Sequence, residues 1–210
     1  GRVRGPAFFV KTTNGGESWI SKDMNSYAAG LIDVHFFNPD TGYVVGLTNI
    51  THSQSRGIIL RTTNGGDSWD TSYVSSRTSE WAWKIQFPSP QTGYVGLQRN
   101  YDGPVNIIKT TDAGATWFEM QAFNFHYFVQ GIGFVNDTLG WIGGNSTYNS
   151  YQTTDGGETW TDAGFGTRMN RVRFVNDTVG YAVGRTVYKY TASPITEIAN
   201  LAELPERYKL

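Results

Sequence analysis

Ten side chains able to move protons or hold charge fall in stretches of irregular sequence: His52, Arg56, Arg77, Glu80, Arg99, Asp102, Glu119, His126, Asp162 and Arg168. Carboxylates can give and take protons and arginines can hold an anion, but nothing in their spacing marks a reaction, so no catalytic residue is assigned. His35, His52 and His126 lack ligand spacing, and a chain without Cys has no thiolate metal site, disulfide or cysteine nucleophile. The Gly-Gly pairs read as turns, with no helix after them to cradle a phosphate, and no metal or cofactor is expected. Two groups of rings, Trp81 with Trp83 and Phe123, Phe125, Tyr127 with Phe128, offer apolar faces. Trp83 shares a strand face with Ile85 and Phe87 and reads as core. The expected binding set is Trp81, Arg99, Tyr101, Phe125, His126 and Tyr127, whose rings would stack on a sugar or dock a partner.

The elements that must position these residues follow from composition and repetition. The 210 residues carry 17 Lys+Arg against 18 Asp+Glu, a net charge of −1, which excludes binding to nucleic acid through a basic face. Aromatic residues reach 15%, enough ring surface to require a folded core. No apolar run approaches the ~18 residues that would span a bilayer.

Four octapeptides align without gaps: Thr12–Trp19, Thr62–Trp69, Thr110–Trp117 and Thr153–Trp160, each reading Thr-Thr-Asn/Asp-x-Gly-x-Ser/Thr-Trp. Their Trp spacings of 50, 48 and 43 suit a propeller blade of four strands. A second signature alternates with the first: Phe36, Phe87, Phe134 and Phe174 each precede by seven residues an aromatic that follows Gly, at Tyr43, Tyr94, Trp141 and Tyr181. Turn formers such as Asn38-Pro39-Asp40-Thr41-Gly42 lie between, so each unit opens with a hairpin. A third strand leads into the octapeptide, whose Asn or Asp followed by Gly supplies a tight turn, and the Trp begins the fourth. The structural set is Asn14, Gly16, Trp19, Asn64, Gly66, Trp69, Asp112, Gly114, Trp117, Asp155, Gly157 and Trp160. The basic residues ahead of three octapeptides, Lys11, Arg61 and Lys109, read as solubility and strand-pairing charges.

The octapeptides resemble the Asp-box, or bacterial neuraminidase repeat, with Asn14 and Asn64 at the Asp position and Ala113 in place of Gly. The fuller unit is most similar to the photosystem II stability and assembly factor-like repeats of secreted bacterial proteins, from about Phe8 to Tyr190. The resemblance implies an all-β fold, a β-propeller of four-stranded antiparallel blades. Blades are expected at about 30–70, 80–118 and 128–161, with partial blades at 1–20 and 168–191, a count of four to five. Related propellers close with about six to eight, so the chain is expected to be an arc of a larger ring lacking N-terminal blades; the alternative is a small ring closed between its terminal strands. Segment 192–210 reads as a C-terminal linker, and residues 201–210 resemble those leading into a type IX secretion sorting domain.

The resemblance implies a secreted or cell-surface scaffold or assembly module, without enzymatic activity, binding a protein or glycan partner. The alternative is a glycoside hydrolase of sialidase-like or xyloglucanase-like type, part of whose active site would lie in missing blades. In a sialidase-like site Arg56, Arg99 and Arg168 would hold a carboxylate beside Tyr101, Glu119 and Asp102, but no Arg-Ile-Pro signature supports it. Functional residues are expected on the rim opposite the octapeptides, in loops at about 47–57, 70–80, 97–104, 118–128, 145–150 and 161–170.

Overall fold

The computed structural model describes residues 5–192; residues 193–210 of the linker read at 192–210, and residues 1–4 of the partial blade expected at 1–20, lie outside the described residues. Among the described residues seventeen strands form five antiparallel sheets. A two-stranded sheet pairs β1 (Phe8–Lys11) with β2 (Ile20–Asp23). Three complete sheets follow: β3 (Gly30–Phe36), β4 (Gly42–Leu47), β5 (Gly57–Thr62) and β6 (Asp70–Val74); β7 (Glu80–Gln86), β8 (Gly93–Arg99), β9 (Val105–Thr110) and β10 (Phe118–Phe123); β11 (Val129–Phe134), β12 (Gly140–Gly144), β13 (Tyr151–Thr153) and β14 (Thr161–Asp162). The last sheet has three strands, β15 (Arg171–Phe174), β16 (Val179–Val183) and β17 (Val187–Thr191). Each sheet is a meander in chain order, and β3, β7, β11 and β15 pack side by side in succession. These are the propeller blades, numbered 1 to 5, with blade 1 holding only a third and fourth strand.

The Gly-aromatic signature has a steric cause. Phe36, Phe134 and Phe174 lie directly across the first hairpin from Gly42, Gly140 and Gly180, and each ring covers its glycine so closely that a Cβ would collide with it. The aromatics after Gly42, Gly93 and Gly140 then turn outward to the next blade. Tyr43 and Tyr94 are fully buried there, each contributing about 1.5–3 kcal/mol by area. Tyr94 stacks on Phe134 at 3.6 Å, and its hydroxyl donates to the carbonyls of Asp137 and Gly156. Tyr43 donates to the Ala113 carbonyl at 2.8 Å.

The octapeptide turns share one hydrogen-bond pattern. The Thr12, Thr62, Thr110 and Thr153 hydroxyls each accept the N–H of the Gly four residues on at 2.9 Å. Oδ1 of Asn14, Asn64, Asp112 and Asp155 accepts the N–H of Ser18, Ser68, Thr116 and Thr159, at the next-to-last position. Hydrogen bonds from Thr116 and Thr159 hold the Asp112 and Asp155 carboxyls down at about 2. The indoles of Trp19, Trp69 and Trp160 close the loop by donating to Gly16, Gly66 and Gly157. Trp117 instead donates to Ser72 of the preceding blade. Trp69 and Trp117 are buried between blades, whereas Trp19 is exposed.

The basic residues do more than pair strands. Lys11 donates to the Gly65 carbonyl at 2.8 Å and Lys109 to the Gly156 carbonyl at 3.0 Å, each tying its blade to the turn of the next. The first strands of blades 2, 3 and 4 are all bulged, at Ile32, Trp83 and Gln130. Below these bulges Asp33, Lys84 and Arg173 gather across the axis of the arc, with Asp33 3.7 Å from Lys84 and 3.3 Å from Arg173. Burial draws the Lys84 ammonium down to about 8 although Asp33 opposes the shift. Gln86 bonds across to blade 4, donating to the Phe134 carbonyl and accepting its N–H.

Candidate functional site

On the rim opposite the octapeptide turns, the 100–104 loop between β8 and β9 meets the 124–128 loop between blades 3 and 4. His126 Nδ1 lies 3.0 Å from the Tyr101 carbonyl oxygen and 3.6 Å from a carboxylate oxygen of Asp102. Tyr101 is 68% exposed, and the Phe125 ring, also exposed, leans on Phe123 and Tyr151. Phe128 meets the imidazole edge at 4.5 Å. The result is a solvent-facing group of two rings, an imidazole and a carboxylate on a supported base. Such a group stacks on flat or aliphatic surfaces and adds one or two polar contacts.

Three expected members of the binding set lie elsewhere. Trp81 is buried, stacked parallel to Trp83 at 6.0 Å and meeting the His52 ring edge at 4.4 Å. The bulge at Trp83 inverts the alternation along β7: Trp81 turns inward, and Trp83, read as core, is only half-buried. Tyr127 is buried too, and its hydroxyl donates to the Asn149 carbonyl, fastening the 124–128 loop to the 145–150 loop. Arg99 turns back on its own blade, 3.4 Å from both Glu80 Oε1 and the Thr78 carbonyl. Tyr148, in the 145–150 loop, is an exposed ring that the sequence reading passed over although it placed that loop on the functional rim.

Apart from the exposed Asp102, the carboxylates Glu80, Glu119 and Asp162 on this rim have internal partners. Glu80 is fully buried and paired with Arg77 at 2.6 Å and Arg99 at 3.4 Å. Burial raises its pKa against the pull of Arg77. At Glu119 burial also favours the protonated form, but hydrogen bonds from Ser76 and Asn106, with the Arg77 charge, win and lower the pKa. Asp162 accepts from Asn149. Arg168, at φ 57°, and Arg185 line a cavity of about 250 Å³ with Thr147 and Thr167. Among the described residues no three His, Asp or Glu side chains gather as a metal set, and no helix is long and apolar enough to cross a membrane.

Consecutive four-stranded antiparallel meanders, side by side with loops and rings on one rim, define an all-β chain of the β-propeller class. Solved structures of that class superpose on it. YCF48 from Cyanidioschyzon merolae matches with a TM-score of 0.62 and 16% identity, over 89% of this chain and 61% of that one. An ancestral GH74 enzyme matches with a TM-score of 0.61 and 19% identity, over 89% of this chain and 27% of that one. The Niastella koreensis GH74 enzyme matches at 0.61 and 17%, over 89% and 35%. The chain thus spans between about a quarter and three-fifths of these structures. No family model and no curated protein sequence matches it.

Proposed function

We propose that the chain is a secreted or cell-surface propeller module, without catalysis of its own, that binds a protein or glycan partner on the rim between blades 3 and 4. The carrying observation is the convergence of Tyr101, Asp102, Phe125 and His126 on one exposed patch while Glu80 and Glu119 are consumed by internal partners. The four octapeptide turns are, in this reading, Asp-boxes, a scaffold that sets the blades and takes no part in binding. The extracellular location rests on the likeness of residues 201–210 to a secretion linker.

A glycoside hydrolase is the second reading, favoured by the superposition on GH74 enzymes and by two rim carboxylates whose pKa values move apart. Against it, Glu80 is sealed from solvent, whereas an acid catalyst must reach the leaving oxygen. Titrating the ¹⁵N-labelled chain with xyloglucan oligosaccharides and with unstructured peptides separates the two. Binding predicts shifts confined to the 100–104 and 124–128 loops, lost in the Tyr101→Ser, Phe125→Ser double variant. Hydrolysis of the oligosaccharide that Glu119→Gln abolishes would establish the enzyme instead.

A further inference from the structure

On the same rim, one junction past the ring patch, three loops meet around the cavity of about 250 Å³ lined by Thr147, Thr167, Arg168 and Arg185. They are the β12–β13 loop, the link from blade 4 to blade 5, and the β16–β17 turn. Each is bonded to the next through the backbone. The Arg168 N–H donates to the Ser146 carbonyl and the Arg185 N–H to that of Thr167, both at 3.2 Å, so the lining residues share one frame. Met169, 1% exposed, anchors the middle loop in the core.

The cavity is cationic. Arg77, Arg99, Arg173 and Lys84 each lie within ion-pair distance of Glu80 or Asp33. Among the described residues no carboxylate stands at that distance from Arg168 or Arg185, and neither the Thr147 nor the Thr167 hydroxyl is spent on another group. Two guanidiniums lining one small volume repel each other unless an anion lies between them. Arg168 also departs from the preference of its own backbone. It holds φ at +57°, in the left-handed region, as do Gly164 and Gly166 just ahead of it at +74° and +86°. Glycine adopts that conformation at no steric cost, whereas an arginine there strains the chain, and such strain collects where a side chain is put to use.

We propose that this cavity binds a tetrahedral oxyanion, a sulfate or phosphate group. A carboxylate has two oxygens in one plane and is satisfied by a single bidentate guanidinium. Two guanidiniums and two hydroxyls arriving from three loops suit a group with three or four oxygens pointing in different directions, and their charge offsets that of a dianion. The site differs from the carboxylate clamp of Arg56, Arg99 and Arg168, because Arg99 is turned onto Glu80 in blade 3 and Arg185 takes no part in that set. It does not depend on the ring patch, so either can fail without the other.

The test is ¹H–¹⁵N titration of the 210-residue chain with sodium sulfate and with sodium phosphate, against sodium acetate at matched ionic strength. Saturable shifts are expected at residues 145–148, 166–169 and 184–186, with acetate about tenfold weaker or more. Arg185→Gln should weaken sulfate binding about tenfold or more. Arg168→Gly should do the same while the melting temperature rises or holds, since glycine relieves the backbone; the loss is then that of the side chain and not of the fold. Glucose 6-sulfate and glucose 6-phosphate carry the same groups as esters. Tighter binding of either ester than of its free ion places the group on a larger ligand, and tighter binding of the free ion gives the site to inorganic sulfate or phosphate. Shifts spread over every exposed basic residue, an Arg168→Gly variant that binds as the native chain does, or acetate as tight as sulfate would each overturn the proposal.

Discussion

The Lys109 ammonium sits 3.0 Å from the Gly156 carbonyl, so a side chain of blade 3 caps the turn of blade 4. Lys11 and Gly65 repeat the relationship two junctions earlier. The charge-assisted bond is half-buried, and Lys109→Met should lower the unfolding free energy by about 1 kcal/mol. Urea denaturation checks it, and Glu158→Gln, an exposed change in the same turn, should be neutral within about 0.5 kcal/mol.

Tyr94 joins the same contact from below. Tyr94→Phe keeps the stack on Phe134 and strands the Asp137 carbonyl, while that of Gly156 keeps the Lys109 ammonium, for an expected loss of about 1–2 kcal/mol. Tyr94→Ala also empties the space between blades, and about 3–5 kcal/mol should go. Similar losses for the two variants would mean that the hydroxyl carries the junction.

The buried Lys84 makes stability rise with pH. Its folded pKa of about 8 lies below the 10.5 of the free side chain, so between those values the unfolded chain holds more protons. The penalty is full below pH 8, where Lys84 is charged beside Asp33 with Arg171 and Arg173 nearby, and it fades as pH climbs. Urea midpoints from pH 7 to 9.5 should increase for the native chain and stay flat for Lys84→Met. That range stops short of the buried tyrosines, whose raised pKa values act in the opposite sense above pH 10.

Gly157 holds φ at +92°, and an added Cβ would come within 3.0 Å of Ile107 in the preceding blade. Gly164, at φ +74°, faces open space. Gly157→Ala should therefore cost about 1–3 kcal/mol and more than Gly164→Ala, which carries the backbone strain alone. Thermal melts of the two variants give the comparison.

The class of fold was legible because its repeating parts are local. An Asn/Asp-Gly turn closed by its own Thr, and a Gly covered by the Phe across its hairpin, each leave a fixed spacing in the chain. The exposed part of the patch was legible too, since Tyr101, Phe125 and His126 fall in loops. What failed was side-chain direction near the bulges. Period-two reading carries Trp83 to the wrong face because the inserted residue is Trp83 itself, whereas Trp81, read as a ring near the variable rim, is covered there by the His52 ring of the preceding blade. Tyr127 and Arg99 deceived for another reason: their partners, Asn149 and Glu80, are distant in sequence and leave no local trace. The Lys11 and Lys109 ties cross from one blade to the next and were likewise invisible.

The ties of Lys11, Tyr43, Tyr94 and Lys109 all point one way, reaching forward from blades 1, 2 and 3 to the turns of blades 2, 3 and 4. Stretched between its ends, such an array does not share the load evenly. Blade 5 gives no forward grip, and the turn of blade 1 receives none. Blade 5, whose junction with blade 4 carries none of these ties, should slip at low force while blades 1 to 4 hold as a single stiff segment. The patch at the junction of blades 3 and 4 then rides on the portion of the chain that yields last, a suitable footing for a contact kept under shear.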